Sequence, residues 1–569
     1  MKKTPLAALA LSACLWAVPA LAAAPHVAPA DPHEWWKHAV FYELYPRSFA
    51  DSNDDGIGDL NGVTAKLDYL KELGVDAIWI APCFPSPQVD FGYDVSDYEQ
   101  IDPMYGTLAD FDRLVAEGQK RGIRVVLDFV VNHTSDQHKW FQDSKSSRTA
   151  AKRDWFIWRD GKGEGQPPNN WVSTFGSPAW KYDSTTGQWY YHYFYPEQPD
   201  LNWRNPAVEK AMLDETRYWY KRGVAGFRLD AVDTLFEDPG LEDNPILAGT
   251  DKFGRPNQDE IHDKKLPEVH DALRKLRKAA DEYGAVLVGE TWTKNIDELR
   301  AYYGSGDEVQ LPMNFLFTQV NKLSAPGFRK RIAEVEAAGV WPVYVISNHD
   351  IVRAWDRYGD GLHNDAIAKV MAALYLTLRG TAIMYYGEEL GMQNTDPQRR
   401  EDVKDPIGQI GWPNEKGRDG ERTPMQWDAS ANAGFSKAKP WLPVPVSAAS
   451  KNVASLSKDP SSILNLYRKL TALRRTDPAL REGEYVALAE SDANVLAYLR
   501  RTKDDAVLVA LNMSAAPQTL DAELAAKGVR ARAGKTLLAT HRVAGSSLPL
   551  GSIALQPFEV LVAKLAPAR

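Results

Sequence analysis

"GFRLDAVDT", Gly226 to Thr234, puts an arginine and an aspartate two residues apart at the end of an apolar run. The VAGF that leads into it has the character of a strand covered on both faces, and a strand interior does not accept charge. Arg228 and Asp230 are therefore expected at the mouth of the strand. They share one face, because side chains two apart in a strand point the same way. The fold turns on whether other apolar runs end in the same manner.

They do. Working outward, the runs are "AVFYELYP", "VDAIWIAP", "IRVVLDFVVNH", "VAGFRLDAV", "AVLVGE", "EVQLPMNF", "VYVISNH" and "TAIMYYGEE". Most are continuous rather than alternating, as in strands buried on both sides. Amphipathic stretches lie between them and stop at Gly74, Gly122, Gly223, Gly284, Gly339 and Gly380, where a left-handed residue ends a helix. Eight such units predict an α/β protein built on a (β/α)8 barrel, over 35–133 and 204–480. A doubly wound open sheet has the same periodicity. Residues 134–203, rich in aromatics ("WFIW", "WYYHYFYP"), interrupt the rhythm as an inserted domain after the third strand. From Arg481 the runs "VLAYLRR", "AVLVALNM" and "EVLVAKL" predict a C-terminal antiparallel β-sandwich over 481–569.

A chain of 569 residues exceeds one hydrophobic core. The net charge of −9 argues against a nucleic-acid partner. Residues 1–22 carry Lys2, Lys3, an apolar stretch and the small-residue site Ala20-Leu21-Ala22, the pattern of a secretory signal peptide. Export to a periplasm or beyond is expected. "LSAC", ending at Cys14, resembles a lipobox and ranks second, since the apolar run continues past it. Cleavage leaves Cys83 alone, so no internal disulfide is expected. No later run is long enough to span a membrane.

The ends of the strands carry the chemistry. The third ends in Asp128, Asn132 and His133, the fourth in Arg228 and Asp230, the fifth in Glu290, the seventh in His349 and Asp350. One such residue is explained by capping of the helix that follows. Four carboxylates, two imidazoles and a guanidinium on one barrel rim are not. Glycoside hydrolysis needs two carboxyl groups flanking one bond. Arg228 is expected to hold Asp230 anionic as the attacking group. Glu290 has no cation beside it in sequence, and crowding by carboxylates is expected to keep it protonated as the donor. Asp350 is a third carboxylate beside these two.

"DFVVNH", "GFRLDAVDT", "VGETW" and "SNHD" resemble, in order, the four main regions of glycoside hydrolase family 13, the α-amylase family. "QPDLN", Gln198 to Asn202, resembles its fifth region in the oligo-1,6-glucosidase subgroup. The resemblance implies a retaining mechanism with Asp230 as nucleophile, Glu290 as acid/base and Asp350 as transition-state stabiliser. It implies Asp128, His133, Arg228 and His349 around the first-subsite sugar, with Phe175 close to the glucose and Asn132 structural. In "GYDVSDY" it implies Tyr93 stacking on the ring and Asp94 binding outer hydroxyls. Arg418 or Arg422 of "GRDGERTPMQW", with Arg418 favoured, is expected to pair with Asp94 and close the subsite, which makes cleavage exo-acting.

The loop "DSNDDGIGD" offers Asp51, Asn53, Asp55, the Ile57 carbonyl and Asp59 to one structural Ca2+ or Mg2+, as related glucosidases do. Gly62 stands where an EF-hand has its bidentate glutamate, and a solvated acidic turn is the competing reading. Relatives that prefer α-1,6 bonds tend to carry Val after the nucleophile. Ala231 leans to α-1,4, against the α-1,6 hint of "QPDLN". The expectation is an exported, retaining, exo-acting α-glucosidase that acts on maltose and short α-glucosides, with transglucosylation as a side activity. An oligo-1,6-glucosidase, a trehalose synthase and a sucrose isomerase are the same-fold alternatives. A non-catalytic carbohydrate-binding relative is the different class, disfavoured because all three carboxylates are kept.

Overall fold

The structure, a computed structural model, describes residues 32–566 apart from 164 and 532. The leader read at 1–22, Cys14 included, lies outside them. All eight expected strands form: β1 Val40–Leu44, β2 Ala77–Ile80, β3 Arg124–Val130, β4 Gly226–Asp230, β5 Val286–Gly289, β6 Leu311–Pro312, β7 Val343–Val345 and β8 Thr381–Tyr385. They make one parallel sheet in the order β6-β5-β4-β3-β2-β1-β8-β7. The first strand pairs with both the second and the eighth, Phe41 facing Ala77 on one side and Ile383 on the other. That pairing curls the sheet into a barrel and excludes the doubly wound order. The ladder lapses only between β6 and β7, and β6 is two residues long with a proline that has no N–H to give.

Successive residues divide the core. Phe41, Trp79, Val126, Val288, Met313, Val345 and Ile383 fill the barrel interior. Tyr42, Ile78, Ile80, Leu127 and Leu287 point outward to the helices. This two-sided burial is what made the strands read as unbroken apolar runs. The helices stop where expected; Gly74 and Gly122 cap them at φ 89° and 75°, a conformation a Cβ disfavours.

The insert contains a three-stranded antiparallel sheet, Trp158–Arg159, Gln188–Tyr191 and Trp180–Asp183, over its own small core of Trp171, Trp180, Tyr191 and Tyr193. Beyond the barrel, six antiparallel strands between residues 484 and 565 pack with a two-stranded sheet, Gln518–Leu520 with Ile553–Leu555, around a second core. Two further excursions escaped the sequence reading. A hairpin, Ile246–Thr250 with Pro256–Gln258, follows β4, and a long irregular segment separates β8 from the helix Ile463–Thr476. Both lie at strand C-terminal ends and wall the pocket described next.

Candidate active site

Arg228 is fully buried and is the hub of the rim. Its Nη1 donates to Asp230 Oδ1 at 2.7 Å and to Asp128 Oδ1 at 3.0 Å. Its Nη2 lies 2.8 Å from Glu290 Oε2. One guanidinium thus faces three carboxylates: Glu290, with no cation beside it in sequence, gains one in space, because β4 and β5 are neighbours and Arg228 reaches across. Asp230 has Arg228 beside it as expected. Burial pushes its carboxyl well above the usual range, Arg228 pulls it back, and Glu290 and Asp128 push it up further. Burial raises Asp128 in the same way. Burial thus outweighs the pull of the one guanidinium at Asp128 and Asp230.

The end of β7 builds the second group. His349 Nδ1 lies 2.6 Å from the buried Glu43 of β1, and its Nε2 lies 3.1 Å from Asp350 Oδ2. Burial opposes the imidazolium, but Asp350 and Glu43 lift its pKa to about 9. Burial likewise opposes ionisation of Asp350, yet His349, Arg418 and Arg422 hold its carboxyl well below the usual range. Asp350 and Asp230 are therefore held differently. Tyr93 links the two groups: its hydroxyl donates to Asp128 at 3.0 Å and lies 2.7 Å from His349 Nε2. Its ring stacks on His349, centroids 5.5 Å apart.

The back wall differs from expectation. Arg418 Nη2 donates to Asp90 Oδ1 at 2.8 Å, not to Asp94. Its Nη1 reaches Asp350 at 3.0 Å and its Nε the buried Asp405 at 2.7 Å. Arg422 binds Asp350 at 2.9 Å and the His349 carbonyl at 2.9 Å. Asp94 turns away into its own loop, where it accepts from Ser86 Oγ at 2.7 Å and the amides of Val89 and Asp90 at 2.9 and 3.1 Å. It holds the turn that presents Asp90.

Asp90, Tyr93, His133, Phe175, Asp230, Ala231, Glu290, Asp350 and Arg418 border one cavity of about 490 Å3. His133 is buried and held neutral, its pKa lowered to about 3 by burial. Gln198, the first residue of "QPDLN", bridges it to Asp90 at 3.0 and 3.3 Å. Asn132 is buried and donates to Asp200 at 3.0 Å, a structural bond as expected. Sequence reasoning missed Asp90, Gln198, Asp405, Glu43 and Trp292. Only Trp292, inside "VGETW", and Gln198 carried a motif signal.

The Asp51–Asp59 loop does not border the cavity. Asp51 accepts from the amides of Asn53, Asp54 and Gly56, and Asp55 from that of Ile57. Asp59 caps the helix Leu60–Ala65 through the Gly62 amide at 2.7 Å. The candidate ligands are all oxygens, the chemistry a hard cation takes; Asp51 and Asp55 keep lone pairs free, whereas Asp59 also accepts from the Ser52 amide and hydroxyl.

No helix among the described residues is long and apolar enough to cross a membrane. Residues 43–483 match the model of the α-amylase catalytic domain, and 485–544 that of the maltogenic amylase C-terminal domain. A probable α-glucosidase of Rhizobium meliloti is 44% identical over 84% of this chain and 90% of its own length. An oligo-1,6-glucosidase of Heyndrickxia coagulans is 39% identical over 84% of this chain and 92% of its own. The solved structure of XgtA, an α-glucosyl transfer enzyme, superposes at a TM-score of 0.84 with 39% identity, covering 94% of this chain and 99% of that one. With a parallel barrel whose strand ends gather these carboxylates, and matches over most of its length, the chain belongs to the α-amylase family of glycoside hydrolases.

Proposed function

We propose that this chain is an exported, exo-acting, retaining α-glucosidase that releases glucose from the non-reducing end of maltose and short α-glucosides. The observation that carries it is the pairing of the Arg228 carboxylate cluster with a pocket closed behind by Arg418 and Asp90. A closed back admits one terminal sugar and no continuing chain. Two carboxyl groups, Asp230 and Glu290, beside one buried guanidinium supply the nucleophile and the donor that the reaction needs.

In the proposed reaction an Asp230 oxygen attacks the anomeric carbon. The bond to the aglycone oxygen breaks, and that oxygen takes a proton from Glu290. A water then gives its proton to Glu290 and its oxygen to the anomeric carbon, and Asp230 leaves. Two inversions give net retention. Asp350, held anionic by His349, Arg418 and Arg422, binds sugar hydroxyls and opposes the positive charge that develops on the ring. A sugar in place of water gives transglucosylation, and the likeness to a glucosyl transfer enzyme supports it as a side activity. Ala231 supports a lean to α-1,4 bonds. The likeness to an oligo-1,6-glucosidase favours the runner-up reading. A Ca2+ or Mg2+ in the Asp51–Asp59 loop completes the proposal as a structural element, held by Asp51, Asn53, Asp55, the Ile57 carbonyl and Asp59.

The test is initial glucose release from maltose and isomaltose at equal concentration, with Asp230→Asn as control. A maltose preference abolished in the variant supports the proposal. An isomaltose preference selects the runner-up. Turnover of sucrose into an isomer, with neither disaccharide cleaved, selects the isomerase alternative.

A further inference from the structure

Both carboxyl oxygens of Glu290 are engaged. Its Oε2 accepts from the Ala231 amide at 2.9 Å and lies 2.8 Å from Arg228 Nη2. Its Oε1 accepts from the Trp292 indole Nε1 at 2.9 Å. Two of the three contacts belong to β4 and its end: the Ala231 amide is backbone, and the Arg228 guanidinium, an ion-pair partner, is fixed by Asp128 and Asp230. The third is a side chain on the solvent side. Trp292 is 44% exposed and borders the cavity, an unusual place for an indole unless something holds it. Phe315 does: the two rings stack in parallel, centroids 4.1 Å apart and planes within 9°. The stack fixes the direction of the indole N–H, and that N–H fixes Oε1.

We propose that Trp292 is a positioning residue for Glu290, its indole N–H aiming the carboxylate at the water of the second step. This rests on the reading of Glu290 as the acid/base. The terminal torsion of a glutamate is broad and roughly two-fold, so without the indole the carboxylate keeps only its Oε2 contacts and swings. Phenylalanine at 292 keeps the stack on Phe315 and removes the donor alone.

α-Glucosyl fluoride isolates the step. In its first half-reaction Asp230 bonds to the anomeric carbon and fluoride leaves with the bonding pair, with no proton required and no aglycone ring to contact Trp292. In the second, water loses a proton to Glu290. Trp292→Phe is expected to lower kcat on this substrate about tenfold, one decade of the roughly 10²–10⁴ that general acid–base catalysis supplies. It is expected to leave kcat/KM within about twofold, since that ratio reports the first step. Azide, an anionic nucleophile with no proton to lose, is expected to restore kcat. An unchanged kcat, a parallel fall of kcat and kcat/KM, or failure of azide to restore turnover each overturns the proposal. Glu290→Ala separates the two readings: if it turns over like the parent, the acid/base assignment itself fails.

Discussion

Arg418 and Asp90 meet at 2.8 Å across the back of the pocket, joining two loops 328 residues apart in the chain. Arg418 is also tied to Asp405, whose pKa falls to about 2 because Arg418 and Arg422 outweigh its burial. The wall is thus a buried ionic network, not an exposed pair, and removing one partner strands the others.

Arg418→Ala is therefore expected to lower kcat/KM for maltose about 100-fold, the loss of roughly 3 kcal/mol that a buried charged contact supplies. Asp94→Asn is expected to behave differently. Its side chain binds its own loop and no pocket group, so stability falls by about 1–2 kcal/mol, and any loss of activity follows from displacement of Asp90. Steady-state kinetics beside a thermal melt separates the two. Equal loss of activity with no loss of stability in Asp94→Asn overturns this division of roles.

The difference between Asp90 and Asp94 shows where the sequence stopped being legible. Arg228, Asp230, Glu290, His349 and Asp350 were readable because strands have a pattern and a barrel gathers their ends. Asp90, Asp405 and Arg418 lie in loops without period, and no local signal says which partner a loop charge meets. Asp94 was drawn in by its neighbour Tyr93. Both lie in a run of turns and bends, where no regular alternation says which side a neighbour faces. Arg228 shows the converse limit. Its contact with Glu290 depends on the adjacency of β4 and β5, which the order of motifs implied but the spacing did not. The hairpin after β4 was invisible because its first strand, Ile246–Thr250, is exposed along its length and has no face to pattern.

Ala231 has a backbone constraint that its size does not reveal. It sits at φ 47°, with its amide on Glu290. A β-branched residue is a poor occupant of that region. Ala231→Val is expected to raise the isomaltose-to-maltose ratio of kcat/KM about tenfold, the scale a few methyl groups give. It is also expected to lower the melting temperature by several degrees, from about 1–2 kcal/mol of strain. An unchanged ratio sinks the linkage argument whatever happens to stability.

The loop Asp51–Asp59 gives a prediction independent of catalysis. If it takes a cation, millimolar Ca2+ after EDTA treatment raises the melting temperature, since a ligand that binds only the folded chain stabilises it by mass action, about 2.7 kcal/mol at 100 times Kd. Asp55→Ala is expected to abolish the rise while leaving kcat of the folded enzyme unchanged. The absence of any shift assigns the loop to the solvated acidic turn.

Buried histidines contribute to the pH dependence of stability in opposite directions. His133 and His138 are held neutral by burial, their pKa values lowered to about 3. Unfolded, they take up protons near pH 6.5. Their contribution is complete above that pH and is lost as pH falls from 6.5 toward 3. His349 is the reverse, lifted to about 9 by Asp350 and Glu43 against its burial. Its contribution is complete below pH 6.5 and is lost as pH rises through 9, an amount of about 3 kcal/mol by linkage. Buried carboxyls raised by desolvation, Glu237 to about 7 and Glu388 and Glu421 to about 8, add to the alkaline fall, so the informative measurement is urea unfolding of parent and variant compared across pH. Glu43→Gln removes one of the two anions facing His349, so its alkaline fall is expected to be shallower while the acid fall stays the same. An alkaline limb identical in parent and variant shows that the Glu43–His349 contact, however short, does not stabilise the imidazolium.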